Sequence, residues 1–358
     1  MVLKGYQVLT MSGEDEVFLS KLNTLYKYEI AKNYLTVVYK FKTDFFTQIS
    51  KVFNPLRRFF RKDIRYAIIS KQNELVMVKE GVIYTLKISN GEILSEIKIP
   101  KGVRPLNFLK IKDLENFDEG LYFGEYFDND EKEAVRIFKK GENSLDEVYC
   151  FKPGSIYHIH NLIEDKNRGC VWILTGDFGN EAAIFQAFDN FKRIECVVRG
   201  QQVFRSCVAF PVAEGLLYAT DSQFEQNSIR LLKQNNQVWE SIYVADLNGP
   251  CIFGSSIGDQ YYFSTSVEAI NSGGRIQKFL RNKRGPGIIE NHSEIVGGNC
   301  NKGFKTIYTN KKDFLPFILF QFGNILFPSG ENKTKKIIFT PIALKKNDFN
   351  TLIGEHEI

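Results

Sequence analysis

The sequence predicts an all-β protein folded as a single β-propeller of four-stranded blades. Short apolar runs that each contain an aromatic residue recur at a regular interval along most of the chain. No long stretch combines helical spacing of apolar residues with helix caps, which argues against α/β folds. Aromatic residues make up 14% of the chain, with 31 Phe and 16 Tyr, and these side chains pack well on pleated strands.

The repeating unit is an apolar run with an aromatic residue, a polar or acidic turn, and a second apolar run. Successive copies lie 50, 46 and 44 residues apart. Each interval also contains two further strand candidates, such as 194–198 and 203–210. Four strands in a unit of this length is typical of propeller blades, including those of WD40 proteins. The aromatic markers of the four copies are Tyr122, Trp172, Tyr218 and Tyr262.

The repeat is clear over residues 66–345 and unclear over 1–65, and no linker-like composition divides the chain. We therefore predict one domain, 1–358, with six or seven blades and five as the alternative count. A two-domain β-sandwich protein would show similar strands without a steady period, and it is the competing fold. Further strands are predicted at 17–19, 36–41, 75–78, 82–88, 325–327 and 337–340, and the second run of the fourth copy at 275–279.

Charge and composition narrow the classes of partner. The net charge of +5 fits an anionic ligand weakly and a dedicated nucleic-acid binder poorly. No run approaches 18 apolar residues and the N-terminus has no signal-type apolar core, so we expect no membrane span and a cytoplasmic protein. The six cysteines show no CxxC spacing and are expected to be free thiols.

The segment 45–60 is rich in aromatic residues and ends in a basic run. We expect a solvated connection whose aromatic side chains pack on the domain. A patch for a membrane surface or a nucleic acid is the alternative. The basic residues are Arg57, Arg58, Arg61 and Lys62.

Propeller topology predicts where a site should lie. The chain enters each blade at the central strand, so the starts of first strands and the ends of second strands lie on one face, here called the top face. Polar residues that are distant in sequence then meet at one mouth, the default place for binding or catalysis. The starts of the central strands carry Arg104, His158, His160, Arg205 and Cys251. The ends of the second strands carry Glu125, Asp177, Asp221 and Glu268.

His158 and His160 are two residues apart, so on a strand their side chains point to the same side. Such a pair suits proton transfer or metal ligation, and its structural alternative is a pair of satisfied hydrogen bonds at the mouth. No third histidine is near in sequence, so we expect no cofactor. A divalent metal at this pair, with Asp177 or Glu181 completing a mixed N/O site, is the alternative.

The other candidates divide between binding and catalysis. The guanidinium of Arg205 can grip a carboxylate or sulfate, although a salt bridge between blades would suit it equally. Carboxyl groups at strand ends can act as acid or base or can simply stabilise turns, and a tyrosine beside them can act as base or line the site. The catalytic candidates are His158, His160, Glu125, Tyr126, Asp177 and Asp221, and the substrate-binding candidates are Arg104, Trp172, Arg205 and Glu268.

Several segments resemble bacterial β-propellers of the BNR-repeat or sialidase-like group. They include LYFGEYFDND, YATDSQFEQNSI and, most specifically, the His-x-His of IYHIHNL followed by W-x-x-T-G-D. The resemblance covers roughly residues 60–340 and implies a glycosyl hydrolase-like propeller in a surface-polysaccharide context. The Asp-box S-x-D-x-G-x-T-W is present only in eroded form, at 187–191 and at 141–144, and the sialidase arginine triad is not matched residue by residue.

Three functions are therefore weighed. The first is an enzyme that acts on an anionic or polar glycan at the mouth, by hydrolysis or β-elimination. The second is a non-catalytic propeller that binds glycans or assists polysaccharide assembly. The third is a protein-interaction scaffold, which an exposed apolar patch on the rim would indicate.

Overall fold

Seven four-stranded antiparallel sheets form a ring of blades in the computed structural model, which describes residues 1–269 and 283–355. Blades one to three contain β2 (Gln7–Ser12), β3 (Glu16–Lys21), β4 (Thr24–Glu29) and β5 (Tyr34–Lys40), then β6 (Tyr66–Lys71), β7 (Glu74–Lys79), β8 (Val82–Lys87) and β9 (Glu92–Lys98), then β10 (Leu109–Ile111), β11 (Gly120–Gly124), β12 (Val135–Lys140) and β13 (Leu145–Phe151).

Blades four to six continue the same order, with each strand pairing to the next in the chain. They contain β14 (His158–Asp165), β15 (Cys170–Gly176), β16 (Ala183–Phe188) and β17 (Arg193–Arg199), then β18 (Ser206–Val212), β19 (Gly215–Thr220), β20 (Asn227–Asn235) and β21 (Val238–Leu247), then β22 (Cys251–Ile257), β23 (Gln260–Thr265), β24 (His292–Asn299) and β25 (Gly303–Lys311).

The seventh blade joins the two ends of the chain. It contains β26 (Asn324–Leu326), β27 (Lys336–Ile342) and β28 (Thr351–Glu355) from the end of the sequence, and its outer strand is β1 (Val2–Leu3) from the beginning. Val2 pairs with Leu352, and the two strands run antiparallel. The ring is therefore closed by backbone hydrogen bonds within one sheet, a device that leaves no unpaired edge between first and last blade.

The aromatic markers form the cores between blades. Tyr122, Trp172, Tyr218 and Tyr262 all lie on second strands and are at most 1% exposed. Trp172 and Tyr218 share one apolar cluster between blades four and five. A large side chain at the same place in each blade fills the wedge between neighbouring sheets, which explains the sequence period.

The predicted fold is confirmed, and the upper predicted blade number is correct. The predicted strands 17–19 and 36–41 belong to β3 and β5, which form part of a complete first blade. The predicted run 275–279 lies outside the described residues, and the third strand of blade six is β24. Among the described residues, no helix is both long and apolar enough to cross a membrane.

One local prediction was right only in part. Segment 45–60 connects blades one and two as predicted, but it folds into helices α1 (Phe45–Ser50) and α2 (Asn54–Phe60), and Phe45 is 71% exposed instead of packed on the domain. Arg58 is 2% exposed, and its guanidinium lies 2.6 Å from Asp313 and 3.7 Å from Asp348. Arg57 is also buried and pairs with Asp63 at 2.5 Å. Two of the four basic residues are thus buried and paired with carboxylates. The remaining short elements are α3 (Phe317–Phe320) and the 3-10 turns Gly179–Glu181 and Gln202–Phe204.

The first strands of all seven blades surround a central cavity of about 760 Å³. This volume lies within the range of small-molecule sites in proteins. The cavity wall includes Arg65, Arg104, His160 and Cys207. The axis of the ring is therefore where the polar groups of several blades come together.

Candidate functional site

A pair of histidines at the start of β14 is the centre of the candidate site. His158 and His160 are each 3% exposed, and their Nε2 atoms are 2.9 Å apart. The Nδ1 atom of His158 lies 3.0 Å from the carbonyl oxygen of Phe127, and that of His160 lies 3.0 Å from the carbonyl oxygen of Ser206. A carbonyl only accepts hydrogen bonds, so each Nδ1 must carry the proton. In the neutral rings, both Nε2 lone pairs then face each other.

Two local features aim His160 into the cavity. The pairing register of β14 and β15 shifts between Ile159 and Asn161, which is a β-bulge at His160. Bulges turn a side chain away from its ordinary direction. In addition, a Cβ placed on Gly176 would lie 2.3 Å from Cε1 of His160, so only glycine leaves room for the ring.

Asp177, directly after β15, completes this cluster. Its Oδ1 is 3.1 Å from Nε2 of His160, and its Oδ2 is 3.5 Å from Nε2 of His158. Arg205 places Nη2 3.1 Å from the same Oδ1. Burial raises the pKa of Asp177, but its contacts with the two imidazoles and the positive charge of Arg205 outweigh burial and hold the pKa well below its ordinary value. Burial lowers the pKa of His160 against the opposing effect of Asp177.

Arg205 links Asp177 to a second carboxyl group. Its Nε lies 3.5 Å from Oδ2 of Asp221, which also accepts a 3.3 Å hydrogen bond from the thiol of Cys207. Burial raises the pKa of Asp221 to about 8, and the charges of Glu268 and Asp177 add to this effect against Arg205. Burial raises the pKa of Glu268 as well. Three carboxyl groups therefore surround one guanidinium.

This part of the site contains buried polar atoms without protein partners. Nε and Nη1 of Arg205 and Oδ1 of Asp221 form no hydrogen bond to any described residue. Arg205 is only 7% exposed and Asp221 only 4%. Buried groups of this kind normally have a partner, so the unsatisfied atoms mark a place for a ligand or bound water.

A separate positive region lies on the cavity wall. Arg104 and Arg65 both line the cavity and are half-buried, and neither forms an ion pair with any described acidic residue. Burial, together with the charge of Arg104, lowers the pKa of Arg65 to about 10. Tyr126 lies between this region and the histidines, with its ring centroid 4.2 Å from that of His158. Burial raises the pKa of Tyr126 above its ordinary value.

Most predicted site residues come together, and their catalytic or binding roles stay predictions. His158, His160, Asp177, Arg205 and Asp221 are joined by direct contacts. Three other predicted residues lie nearby. Glu268 interacts electrostatically with Arg205, the ring of Tyr126 contacts that of His158, and Arg104 lines the same cavity as His160. Sequence reasoning missed Arg65, which stands immediately before a first strand just as Arg205 does, because the repeat was unclear near it.

Two predicted residues lie elsewhere. Trp172 is fully buried between blades and donates a 2.8 Å hydrogen bond to Asp165, so it cannot contact a substrate at the mouth. The carboxylate of Glu125 turns into its own blade, where it accepts a 2.9 Å hydrogen bond from the backbone of Arg136. Burial raises the pKa of Glu125. Neither side chain belongs to the cluster around the histidines.

Two overlapping groups of side chains have the composition and spacing of metal ligands. One consists of His158, His160 and Asp177, and the other of His160, Cys207 and Asp221. In each group the ligand atoms lie within 4.8 Å of one another. Glu181, the predicted alternative ligand, instead forms an ion pair with Lys132.

Comparison with known proteins supports the fold alone. No model of a protein family and no curated protein matches the chain. Among solved structures, an oligogalacturonate lyase in complex with manganese has a TM-score of 0.58 at 10% identity, covering 99% of this chain and 90% of that chain. A chain of the mitotic checkpoint complex has a TM-score of 0.53 at 8% identity, covering 100% and 95%. The Swd1 β-propeller domain of Myceliophteria thermophila has a TM-score of 0.53 at 7% identity, covering 98% and 97%.

Proposed function

We propose that this propeller binds an anionic glycan at the top-face mouth and cleaves it by hydrolysis or β-elimination. The observation that carries the proposal is the pair of unpaired arginines, Arg65 and Arg104, on the cavity wall that also bears His160. A half-buried guanidinium without a carboxylate partner favours an anionic ligand, because its charge is not neutralised by the protein. Acidic sugars provide such a group.

The chemical step is assigned to the groups around Arg205. Asp221, whose pKa of about 8 keeps it protonated at neutral pH, is suited to act as general acid. Asp177 stays ionised beside it. Arg65 and Arg104 would hold the acidic group of the sugar so that the scissile bond lies towards these carboxyl groups. The oligogalacturonate lyase among the similar folds is consistent with glycan chemistry on a propeller.

The test is a panel of uronate- and sialate-containing oligosaccharides with neutral counterparts. Hydrolysis gives a new reducing end, whereas β-elimination also gives an unsaturated product that absorbs ultraviolet light. The Arg65→Ala/Arg104→Ala variant should lose at least tenfold in kcat/KM on acidic sugars. The matched control is Lys110→Ala/Lys112→Ala, which removes two cations farther along the cavity wall and should have little effect. Equal turnover of acidic and neutral sugars would contradict the proposal, and binding without product would support the non-catalytic alternative.

A protein-interaction scaffold is the second candidate, because the structure has an exposed apolar patch. On α1 and α2 and the loop between them, Phe45 is 71% exposed, Val52 72% and Phe53 52%. These helices connect the first and second blades and so lie on the top face. A scaffold role predicts that a stoichiometric partner co-purifies with the wild type and is lost from Phe45→Ser/Phe53→Ser. Retention of the partner by this variant would exclude the patch as its docking surface.

A further inference from the structure

We propose that His158, His160 and Asp177 form a binding site for one divalent transition-metal ion, of the zinc or manganese class. The proposal does not rest on glycan binding, since it follows from the contacts of the three side chains. The two Nε2 atoms are 2.9 Å apart, Oδ1 of Asp177 lies 3.1 Å from Nε2 of His160, and Oδ2 lies 3.5 Å from Nε2 of His158. The site also differs from an ordinary acidic cluster, because two of its three ligands are imidazoles.

Hydrogen-bond direction is the first argument. The carbonyl oxygens of Phe127 and Ser206 fix the proton of each imidazole on Nδ1. Two Nε2 lone pairs and a carboxylate then converge with no donor among them. A single added proton can serve only one of these contacts at a time, and the other two remain contacts between acceptors. A metal cation at the centre accepts electron pairs from all three groups at once.

Coordination geometry is the second argument. Tetrahedral ligands at about 2.1 Å from a metal lie roughly 3.4 Å from one another, close to the observed separations. Metal-bound histidines typically donate their other ring proton to a carbonyl or carboxylate, which both rings here do. Two nitrogens and one carboxylate oxygen are the ligand set of catalytic zinc and related ions. His160 lines the cavity, so further positions would face the ligand-binding space.

Charge balance is the third argument. Asp177, Asp221 and Glu268 bring three carboxyl groups to one buried guanidinium, that of Arg205. Arg205 contacts Asp177 on Oδ1 and can orient the carboxylate towards the histidines. A divalent cation would add positive charge next to Asp177, the carboxylate of this group that stays ionised. The two histidines would hold the ion together with Asp177.

The experiment measures metal binding alone. The full-length protein is stripped with a chelator and titrated with ZnCl2 and MnCl2 by calorimetry, and metal content is measured by elemental analysis. We expect one equivalent in the wild type and at least tenfold weaker binding in His160→Ala and Asp177→Asn. The control is His292→Ala, whose imidazole lies 3.2 Å from Glu290 outside the site and should leave binding unchanged.

A second variant separates ligand loss from misfolding. Gly176→Ala keeps all three ligands and displaces the His160 ring, so it should also weaken binding at least tenfold. Circular dichroism and thermal unfolding verify that each variant is folded. Wild-type affinity in the folded His160→Ala or Gly176→Ala protein would overturn the proposal, as would a wild type that binds neither ion. Failure to find a glycan substrate would not bear on this result.

Discussion

Replacing Arg205 with methionine should destabilise the protein, and more strongly at high pH. At an effective dielectric constant near 20, the contacts of Arg205 at 3.1 Å and 3.5 Å are each worth about 5 kcal/mol before desolvation when the carboxylate concerned is ionised. Desolvation of the buried guanidinium offsets much of this, and removing one partner of a buried pair typically costs about 3–5 kcal/mol. We expect the melting temperature to fall by roughly 5–10 °C.

The pH dependence follows from Asp221. Since its pKa is about 8, the carboxyl group is mostly protonated at pH 6, and only Asp177 is then left as an unpaired carboxylate in the variant. At pH 9 Asp221 is ionised beside Arg205 in the wild type, whereas in the variant it must take up a proton or remain a buried charge without Arg205, so the loss should be larger. Thermal unfolding of the wild type and Arg205→Met at pH 6 and pH 9, with chelator present, measures the difference. Arg205→Lys, which keeps the charge, should lose less than half as much.

An equal loss at both pH values would refute this reasoning. It would mean that Arg205 stabilises the fold through packing of its aliphatic stem rather than through charge. A loss that grows towards low pH would have the wrong sign, because a cation stabilises carboxyl groups only when they are ionised.

Three further outcomes are expected. Asp221 stays protonated in the folded state up to about pH 8, whereas the unfolded chain releases this proton above about pH 4. The stability of the wild type should therefore fall as the pH rises from about 4 to 8. In thermal unfolding, Asp221→Asn should show a weaker dependence on pH over this range. Asp165→Ala should lower the free energy of unfolding, measured in urea, by about 2–4 kcal/mol, because it leaves the indole N–H of Trp172 buried without an acceptor. Trp172→Phe should then destabilise the Asp165→Ala variant less than it destabilises the wild type. Deleting residues 1–5 removes β1, the outer strand of the seventh blade, and should lower the melting temperature.

The sequence predicted the ring because its repeat has a simple physical origin. One large aromatic side chain fills the same inter-blade wedge in each of the clearest copies, and the fully buried Trp172 and Tyr218 show this directly. For the same reason, Trp172 could not be a binding residue. Successive side chains of β15 face the blades on either side, as Ile173 and Trp172 do in two different clusters, so a residue in the middle of this strand does not reach the mouth. Trp172 could therefore not be both the buried aromatic marker of the repeat and a substrate-binding residue.

The sequence predicted the location of the site better than it predicted which residues form it. Topology alone brings Asp177 and Asp221 near Arg205, because strand ends and strand starts meet on one face. The direction of a side chain beyond a strand end depends on local contacts, and Glu125 turns towards Arg136 instead. The bulge that aims His160 is a matter of pairing register, which the spacing of apolar residues does not reveal.

The closure of the ring bears on the order of folding. Val2 pairs with Leu352, and Arg58 reaches Asp348, so the contacts that complete the circle join the most distant parts of the chain. Loop-closure entropy makes a loop of about 350 residues only about 2 kcal/mol harder to close than one of about 50. Such contacts nevertheless form late, after the local hairpins of each blade. We expect the amide hydrogens of the seventh blade to exchange before those of the other blades. The pairing between β1 and β28 would open while the remaining blades stay folded.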